Sequence, residues 1–358
     1  MKIVIMAGGT GGHVFPALAV ANVLRARGHA VTWIGTRQGL EARVVPAAGI
    51  DVEWVEVGGL RGKDVGTLLM SPWRVTRALA QAWRIFRRLR PQVALGMGGF
   101  ASGPGGLAAR LSSCPLVLHE QNAVPGVTNR VLSYMARRVL EGFPGSFAAA
   151  RRAEYIGNPV RATIAALPAP EARLAGRDGA LRVLVIGGSQ GARVLNETLP
   201  QAIAQLGISP APEIWHQSGM RDAESLTAAY RQRGLKARVA AFIEDMAEAY
   251  AWADLAVCRA GALTIAELSA AGLAAVLVPF AAAVDDHQTR NAQFLVRAGA
   301  AELLPQAGLS AASLAAVLQR LLADRQLLLN MAQRARALAK PQAAAQVANV
   351  CLQAGAAP

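Results

Sequence analysis

The chain has 358 residues, a formal net charge of +14 and 53% hydrophobic residues. This length predicts two domains of similar size, and the hydrophobic content is typical of α/β units whose parallel strands are buried on both faces. The basic charge favours phosphorylated ligands, polyanions or acidic membrane surfaces, whereas the longest apolar run, residues 273–284, contains Pro279 and is too short to span a bilayer.

The chain begins with an apolar run at residues 3–6, followed by the glycine cluster 8–12 and an alanine-rich segment at 16–27. This order predicts a strand, a tight loop and a helix, and a strand at the very start predicts no secretory signal. Glycine amides at a helix N-terminus favour phosphate or sugar oxygens, so the loop is either a ligand site or a simple turn. His13 lies where the loop meets the helix, and the helix dipole is expected to keep its imidazole neutral and able to accept a proton.

The same pattern returns along the chain. Strands predicted at 31–35 and 52–57, a helix over 72–90 and a strand at 93–95 lead into a second glycine loop at 96–106, and strand 116–118 ends in the polar residues 119–122. Strand 182–186 then runs into a third glycine loop at 187–192. The repeat predicts two Rossmann-like halves with ligands at the carboxyl ends of their strands, although the G-x-G-x-x-G spacing and ribose-binding acid of NAD sites are missing.

A turn at residues 157–161 and the Pro/Ala-rich stretch after it predict the domain boundary. We expect an N-terminal domain over 1–156, a C-terminal domain over 157–340, and a terminal helix over 341–358 that packs back on the N-terminal domain. Strands are predicted at 213–216, at 239–243 and near residues 255 and 276, followed by a final helical segment over about 314–352. The three cysteines lie far apart without a C-x-x-C motif, which predicts buried thiols in a reducing compartment.

The helix over 72–90 has two interpretations. Its stripe of Leu79, Trp83 and Phe86 either faces the core or enters a membrane headgroup region while neighbouring arginines meet anionic lipid. The apolar approach to the helix favours the membrane. The candidate membrane residues are Leu68, Leu69, Trp73, Arg77, Arg84 and Arg88, with Arg137 and Arg138 as further members of the patch.

Six motifs in order resemble those of the MurG-type UDP-N-acetylglucosamine transferases, over nearly the whole chain. They are GGTGGHVFP at 8–16, GGF at 98–100, HEQN at 119–122, GNPVR at 157–161, GGSQG at 187–191, and GALT at 261–264 followed by Glu267. The resemblance implies the GT-B fold, with two Rossmann-like domains facing a central cleft. It implies transfer of GlcNAc from UDP-GlcNAc to the MurNAc 4-hydroxyl of undecaprenyl-pyrophosphoryl-MurNAc-pentapeptide, lipid I to lipid II, in peptidoglycan synthesis.

The resemblance also implies which residues bind the donor. In the N-terminal half they are Thr10, Gly11, Gly12 and Asn122 at the sugar. Arg161 and Ser189 would meet the uridine diphosphate, and the backbone of Ile243 would pair with the uracil edge. The turn of Ala262, Leu263, Thr264, Ile265 and Ala266 would hold the diphosphate, Glu267 the ribose hydroxyls, and Gln288 a sugar hydroxyl. Taken singly, each residue is better explained by an ordinary role, Arg161 as a linker, Asn122 as a turn former and Glu267 as a first-turn acid beside its helix dipole. Their order and context along the chain favour the functional roles.

The expected reaction inverts the anomeric centre, with His13 as candidate general base. Asp285 and Asp286 are adjacent rather than spaced as in the metal-binding Asp-x-Asp element, so we expect no metal site and no cofactor, with Mg²⁺ at most assisting at the diphosphate. The growing charge on the leaving group would be met by loop amides, helix dipoles and Arg161.

The implied partners are UDP-GlcNAc, the lipid-linked acceptor, an anionic membrane surface, and proteins of cell-wall synthesis, cell shape or division. The implied location is peripheral, on the cytoplasmic face of the inner membrane. A different GT-B transferase or a nucleotide-sugar epimerase would share the donor motifs of the second half. A nucleic-acid-binding protein would share the charge but leaves the glycine loops unexplained, so no nucleic-acid partner is expected.

Overall fold

The computed structural model describes residues 1–57, 71–188, 191–281 and 286–356, without the side chains of residues 71, 72 and 74. Its contacts divide the chain into two compact units, Met1–Arg161 with Pro341–Pro358, and Ala162–Lys340. The boundary between the units falls between Arg161 and Ala162, whereas the boundary predicted from the sequence lies before residue 157. The terminal segment is part of the first unit.

Thirteen strands are described. They are β1 (Lys2–Met6), β2 (Ala30–Gly35), β3 (Asp51–Trp54), β4 (Val93–Gly96), β5 (Leu116–Glu120), β6 (Arg138–Glu141), β7 (Glu154–Tyr155), β8 (Arg182–Ile186), β9 (Glu213–Gln217), β10 (Ala237–Ala240), β11 (Leu255–Cys258), β12 (Ala274–Leu277) and β13 (Ala301–Leu303). Most are short apolar runs, as expected for strands covered on both faces, whereas the edge strands β3 and β7 each contain a glutamate.

Fifteen α-helices are described between and after these strands. They are α1 (Gly11–Ala26), α2 (Glu41–Ala47), α3 (Ser71–Leu89), α4 (Ser102–Leu111), α5 (Val127–Leu132), α6 (Ala162–Ala165), α7 (Pro170–Leu174), α8 (Arg193–Ala204), α9 (Ala223–Gln232), α10 (Met246–Trp252), α11 (Ala262–Ala271), α12 (His287–Arg297), α13 (Ala311–Leu322), α14 (Arg325–Ala337) and α15 (Ala343–Ala356). Short 3₁₀ turns lie at Ala149–Arg151 and Gln306–Gly308.

Both units are built on a parallel sheet. The first sheet has the strand order β3-β2-β1-β4-β5-β6-β7 and the second β10-β9-β8-β11-β12-β13. In each, the first strand of the unit lies inside the sheet and the order reverses beside it, between β1 and β4 and between β8 and β11. Ligand sites of such sheets lie at this reversal, beyond the carboxyl ends of the strands.

The final helical segment predicted over 314–352 is wrong as a single element. Helix α13 ends at Leu322, and Asp324 begins the next helix, because its carboxylate accepts the N–H groups of Gln326 and Leu327 at the start of α14. The third helix, α15, packs on α1 and β4, and Val347 and Cys351 join the core of the first unit. The last helix, α15, therefore belongs to the core of the first unit, although it follows the second unit in the sequence.

Helix α3 packs into the core of the first unit two residues that the membrane interpretation places in the headgroup region. Phe86 is 1% exposed and Leu79 packs against the same cluster, so for these two residues the core interpretation is right. Trp73 is 67% exposed and Trp83 is 37% exposed. Within the described residues, no helix is both long and apolar enough to cross a membrane.

Candidate functional site

In the first unit, two glycine loops meet backbone to backbone. The loop after β1 leads into α1 at Thr10, and the loop after β4 contains Gly99 with a φ of +81°. A Cβ on Gly99 would overlap the carbonyl of Gly8. Both the left-handed backbone and the close approach therefore require glycine at this position.

A buried carboxylate lies under the first of these loops. Glu41 accepts the N–H of Gly9 at 2.9 Å through Oε2, and the N–H and hydroxyl of Thr36 at 2.9 and 2.8 Å through Oε1. The loop amides are predicted from the sequence to hold a ligand oxyanion, but the anion at Gly9 is supplied by the chain itself. The amides of Gly11 and Gly12, at an α1 N-terminus without a side-chain cap, are the ones left to a ligand.

His13 is half-buried at the start of α1, and its ring packs against the second glycine loop. A Cβ on Gly98 would lie 2.8 Å from the ring. Nδ1 of His13 is 2.7 Å from Oε1 of Gln121, just after β5. The HEQN motif contains Gln121, but only Asn122 of this motif has a predicted role, because nothing in the linear sequence shows which of the four side chains meets His13.

Asn122 is held by a second buried carboxylate. Oε1 of Glu120 accepts the backbone N–H and the side-chain amide of Asn122 at 2.9 and 3.2 Å, and Oε2 accepts from Gly126 and Asn129 at 3.2 and 3.0 Å. Glu120 is 1% exposed. The buried Glu120 carboxylate therefore holds the loop that carries Asn122 in place through these hydrogen bonds. The contact of Asn122 with the sugar stays a prediction.

Arg161 is the last residue of the first unit in the contact division. Its guanidinium carbon lies 5.8 Å from the centre of the Phe15 ring, on the helix that begins with the first glycine loop. An aromatic face close to a guanidinium helps to orient it, which suits an arginine that binds phosphate.

In the second unit, Gln217 at the end of β9 joins two predicted donor segments. Its Nε2 donates to the carbonyl of Gly188 at 2.7 Å, and its Oε1 accepts the N–H of Ile243 at 3.1 Å. The Ile243 side chain is buried, as expected of a residue that pairs through its backbone. A ligand that uses the Ile243 N–H must displace Gln217. Ser189 lies outside the described residues.

Helix α11 begins without a side-chain cap, at Gly261 in extended conformation. The N–H groups of its first turn, from Ala262 to Thr264, lack intrahelical acceptors and form the anion-binding end of the helix. Ile265 differs from this set, because its N–H donates to the Gly261 carbonyl and its side chain is fully buried. Ala266 follows within the helix and is half-buried.

Glu267 is not a first-turn acid, so that alternative is wrong. It lies in the second turn of α11, is 4% exposed, and its Oε2 accepts the Tyr250 hydroxyl at 3.0 Å. A buried carboxylate held by a tyrosine hydroxyl is oriented for a defined acceptor role rather than for interaction with the helix dipole.

Gln288, at the start of α12, also has one end occupied. Its Oε1 accepts the N–H of Phe280 at 2.9 Å, so its amide N–H₂ is the end that would meet a sugar hydroxyl. The Arg259 guanidinium lies 5.3 Å from the centre of the Phe280 ring and donates to the carbonyls of Val278 and Pro279, both at 3.1 Å. Burial lowers the pKa of Arg259. No role is predicted for Arg259 from the sequence.

The candidate membrane residues are only partly accounted for. Leu68 and Leu69 lie outside the described residues. Arg77 pairs with Glu56 at 2.9 Å and Arg88 with Glu53 at 2.6 Å, so both charges are offset by neighbouring carboxylates. In the described part of the chain, no group of three or more His, Cys, Asp or Glu could hold a metal ion.

Two family models match the chain. The model of the glycosyltransferase family 28 N-terminal domain matches residues 3–141, and that of the family 28 C-terminal domain matches residues 182–347. The first match lies within the first unit, and the second covers most of the second unit and the beginning of the terminal segment that belongs to the first.

Relatives match over nearly the full length. One from Nitrosococcus oceani is 56% identical over 99% of this chain and 98% of its own length. One from Halorhodospira halophila is 55% identical over 98% of this chain and 97% of its own length. Both are named UDP-N-acetylglucosamine–N-acetylmuramyl-(pentapeptide) pyrophosphoryl-undecaprenol N-acetylglucosamine transferase.

Solved structures give the same picture. The crystal structure of Acinetobacter baumannii MurG aligns with a TM-score of 0.86 at 41% identity, over 98% of this chain and 99% of that one. A UDP-GlcNAc 2-epimerase from Neisseria meningitidis aligns with a TM-score of 0.68 at 10% identity, over 99% of this chain and 100% of that one. The second likeness is one of fold alone.

Proposed function

This chain belongs to glycosyltransferase family 28, and we propose that it transfers GlcNAc from UDP-GlcNAc to the MurNAc 4-hydroxyl of undecaprenyl-pyrophosphoryl-MurNAc-pentapeptide. The observation that carries this function is the 56% identity, over 99% of the chain, to a transferase named for that donor and acceptor. The predicted GT-B fold of two Rossmann-like halves is confirmed. The product, lipid II, is a precursor of peptidoglycan.

His13 is the proposed general base for this transfer. The acceptor hydroxyl must lose a proton as it attacks the anomeric carbon, and an imidazole with a free ring nitrogen can take that proton. The contact of Nδ1 with Gln121 leaves Nε2, for which the described residues provide no hydrogen-bond partner. The half-buried position between two glycine loops supports this role.

The second unit supplies the proposed donor site. The first-turn amides of α11 would bind the diphosphate and stabilise its growing charge, and Glu267, held by Tyr250, would accept the ribose hydroxyls. The Ile243 backbone would pair with uracil, and Gln288 would donate to a sugar hydroxyl. Ser189 and Arg161 complete the proposed phosphate contacts, with Thr10, Gly11, Gly12 and Asn122 at the sugar.

We propose that the chemistry needs no bound metal and no cofactor. Amides at helix N-termini and the Arg161 guanidinium can stabilise a leaving diphosphate without a divalent ion. Mg²⁺ would act only by associating with the diphosphate of the donor.

Peripheral attachment to an anionic membrane is proposed through one face of the first unit. Helix α4 packs against α3, and α5 packs against α4. Large apolar side chains are exposed on all three helices and just after α5. They are Trp73, Val75, Trp83, Leu107, Leu111, Val127, Val131 and Tyr134. Arg84, Arg110 and Arg130 are exposed on the same three helices. Contiguous apolar area rimmed by arginine is typical of an interfacial surface.

The test is transfer of radiolabelled GlcNAc from UDP-GlcNAc to a lipid-pyrophosphoryl-MurNAc-pentapeptide, with and without EDTA. We expect labelled lipid in both reactions. Binding of UDP-GlcNAc without transfer to that lipid would leave the donor assignment standing and overturn the acceptor. Transfer abolished by EDTA and restored by Mg²⁺ would overturn metal-independent chemistry.

A further inference from the structure

A line of three side chains connects His13 to the interior of the first unit. His13 Nδ1 is 2.7 Å from Gln121 Oε1, Gln121 Nε2 is 3.0 Å from His119 Nδ1, and His119 Nε2 is 2.9 Å from the carbonyl oxygen of Gly157. His119 is fully buried and Gln121 is 1% exposed. This line contains two side chains to which the transfer reaction itself assigns no part.

Two backbone carbonyls determine where the protons of this line lie. The Gly157 carbonyl can only accept, so His119 carries its proton on Nε2. The His119 carbonyl, 3.1 Å from Gln121 Nε2, can also only accept, so the Gln121 amide must turn its N–H₂ toward His119. The second N–H of that amide then donates to His119 Nδ1, which in a neutral ring protonated at Nε2 is an acceptor.

The Gln121 carbonyl oxygen therefore faces His13. An amide oxygen accepts only, so His13 must donate from Nδ1. In the neutral imidazole this leaves the lone pair on Nε2, the nitrogen that would take the acceptor proton. Free imidazole side chains favour the opposite tautomer, with the proton on Nε2, which could not act as a base at that atom.

We propose that Gln121 and His119 are positioning residues that hold His13 in the Nδ1–H tautomer and so keep Nε2 free to accept a proton. The inference rests on the proposed role of His13 as general base. Its geometry does not depend on that role, because the two carbonyls set the proton positions in the free protein.

Burial keeps this line in one arrangement. Desolvation lowers the pKa of His119 to about 4, so its ring stays neutral at physiological pH and its Nδ1 remains an acceptor. Gly98 closes the other side of His13, since any side chain there would press on the imidazole. The imidazole is thus held in orientation as well as in tautomer.

The first measurement is the ¹⁵N NMR spectrum of histidine-labelled protein, with the His13 signals assigned by their loss in His13→Ala. We expect the Nδ1–H tautomer of His13 in the native chain and a shift toward Nε2–H in Gln121→Leu, which lacks the acceptor. Gln92→Leu is the control, because it removes a glutamine of the same unit whose Oε1 accepts from the Lys2 N–H outside the site, and it should leave the His13 tautomer native. A native His13 protonated on Nε2 overturns the proposal, even if Gln121→Leu fails to fold.

The second measurement is steady-state transfer by the same variants. Gln121→Leu should lower kcat roughly 10- to 100-fold with little change in the KM for UDP-GlcNAc, since binding of the donor is unaffected while the base is wrongly protonated. The control Gln92→Leu should keep the native kcat. Equal kcat in Gln121→Leu and native protein would overturn the positioning role.

The two proposals fail in different ways. If the native chain transfers nothing to the lipid acceptor, the proposed function fails, while the NMR spectrum still decides whether the line holds the Nδ1–H tautomer. If transfer proceeds and the tautomer in Gln121→Leu is unchanged from native, the positioning role fails and the function stands.

Discussion

The two units share one architecture and use the carboxyl ends of their strands differently. In the first unit, buried carboxylates of the chain accept loop N–H groups there, Glu41 from Gly9 and Glu120 from Gly126. In the second unit, Asp254 accepts a backbone N–H in the same way, but at the amino end of β11. Beyond the carboxyl end of β10 the exposed Asp245 caps α10, whereas α11, after β11, begins with uncapped amides.

This difference separates two kinds of chemistry. Where the chain supplies its own anions, the N–H groups of Gly9 and Gly126 are satisfied and the loops can hold an imidazole in one orientation, although α1 also begins with uncapped amides. Where the amides are left without an internal anion, the helix end is available to an anionic ligand. The proposed base and the proposed diphosphate site follow from this contrast.

The largest expected effect separates the role of the proposed base from that of the proposed donor site. His13→Ala should lower kcat about 1,000-fold, the contribution of a general base, while the affinity for UDP-GlcNAc stays near native. Glu267→Gln should instead raise the KM for UDP-GlcNAc about 10-fold, because a buried charged acceptor is lost. Steady-state kinetics and calorimetric titration with UDP-GlcNAc measure both. A 10-fold weaker donor affinity in His13→Ala would break the division of labour.

The second effect is acid sensitivity, expected in both units. Burial lowers the pKa of His119 to about 4 and of His216 to about 3, from an ordinary 6.5. As pH falls, the unfolded chain binds protons at these histidines before the folded chain does. The contribution of each neutral histidine to the free energy of unfolding is therefore complete above about pH 6.5 and falls by about 3 kcal/mol near pH 4.

His216→Phe tests this in the second unit alone. The variant loses the contact of His216 Nδ1 with the Tyr230 hydroxyl at 2.8 Å, so it starts from a lower stability near pH 7. Its further loss between pH 7 and pH 4 should be about 3 kcal/mol smaller than in the native chain. Urea unfolding followed by circular dichroism measures it, and an equal loss in both proteins would contradict the assignment.

Glycine substitutions probe what the first unit's loops require. Gly99→Ala should cost about 3 kcal/mol, because it combines a left-handed backbone with overlap on Gly8. Gly9→Ala is the matched control, since its φ is +91° but a Cβ there meets nothing within 4 Å, and it should cost about 1 kcal/mol. Thermal unfolding gives both values. Equal costs would show that strain alone, without loop contact, determines the requirement.

The smallest effect concerns the exposed apolar face of the first unit. Trp73→Ser should weaken binding to vesicles containing anionic phosphatidylglycerol roughly 10-fold, because an indole would leave the headgroup region. Met220→Ser, at a residue 75% exposed in the second unit, is the control and should leave vesicle binding unchanged. Cosedimentation measures both, and equal weakening by the two substitutions would place the membrane contact elsewhere.

Much of the fold follows from local pattern. Apolar runs ending in glycine located β1, β4 and β8, and the helix predicted at 72–90 is observed as Ser71–Leu89. The prediction failed where periodicity continued across a break, as at Asp324, because helix caps interrupt a chain without interrupting its apolar spacing. The stripe on α3 divided between core and surface for a related reason: spacing shows which residues share a face, and packing decides which of them are covered.

The sequence by itself determined the two-unit α/β architecture, the family and the glycine loops, because these depend on residues close together in the chain. Only the tertiary structure decided which groups meet the loops. Gln121 contacts His13 across 108 positions, and Glu41 reaches Gly9 across 32. Such partners are selected by the order of strands in the sheet, which brings the ends of β1, β4 and β5 to one edge. A buried polar group takes the partner that this edge presents, since leaving it unpaired costs more than any local preference supplies.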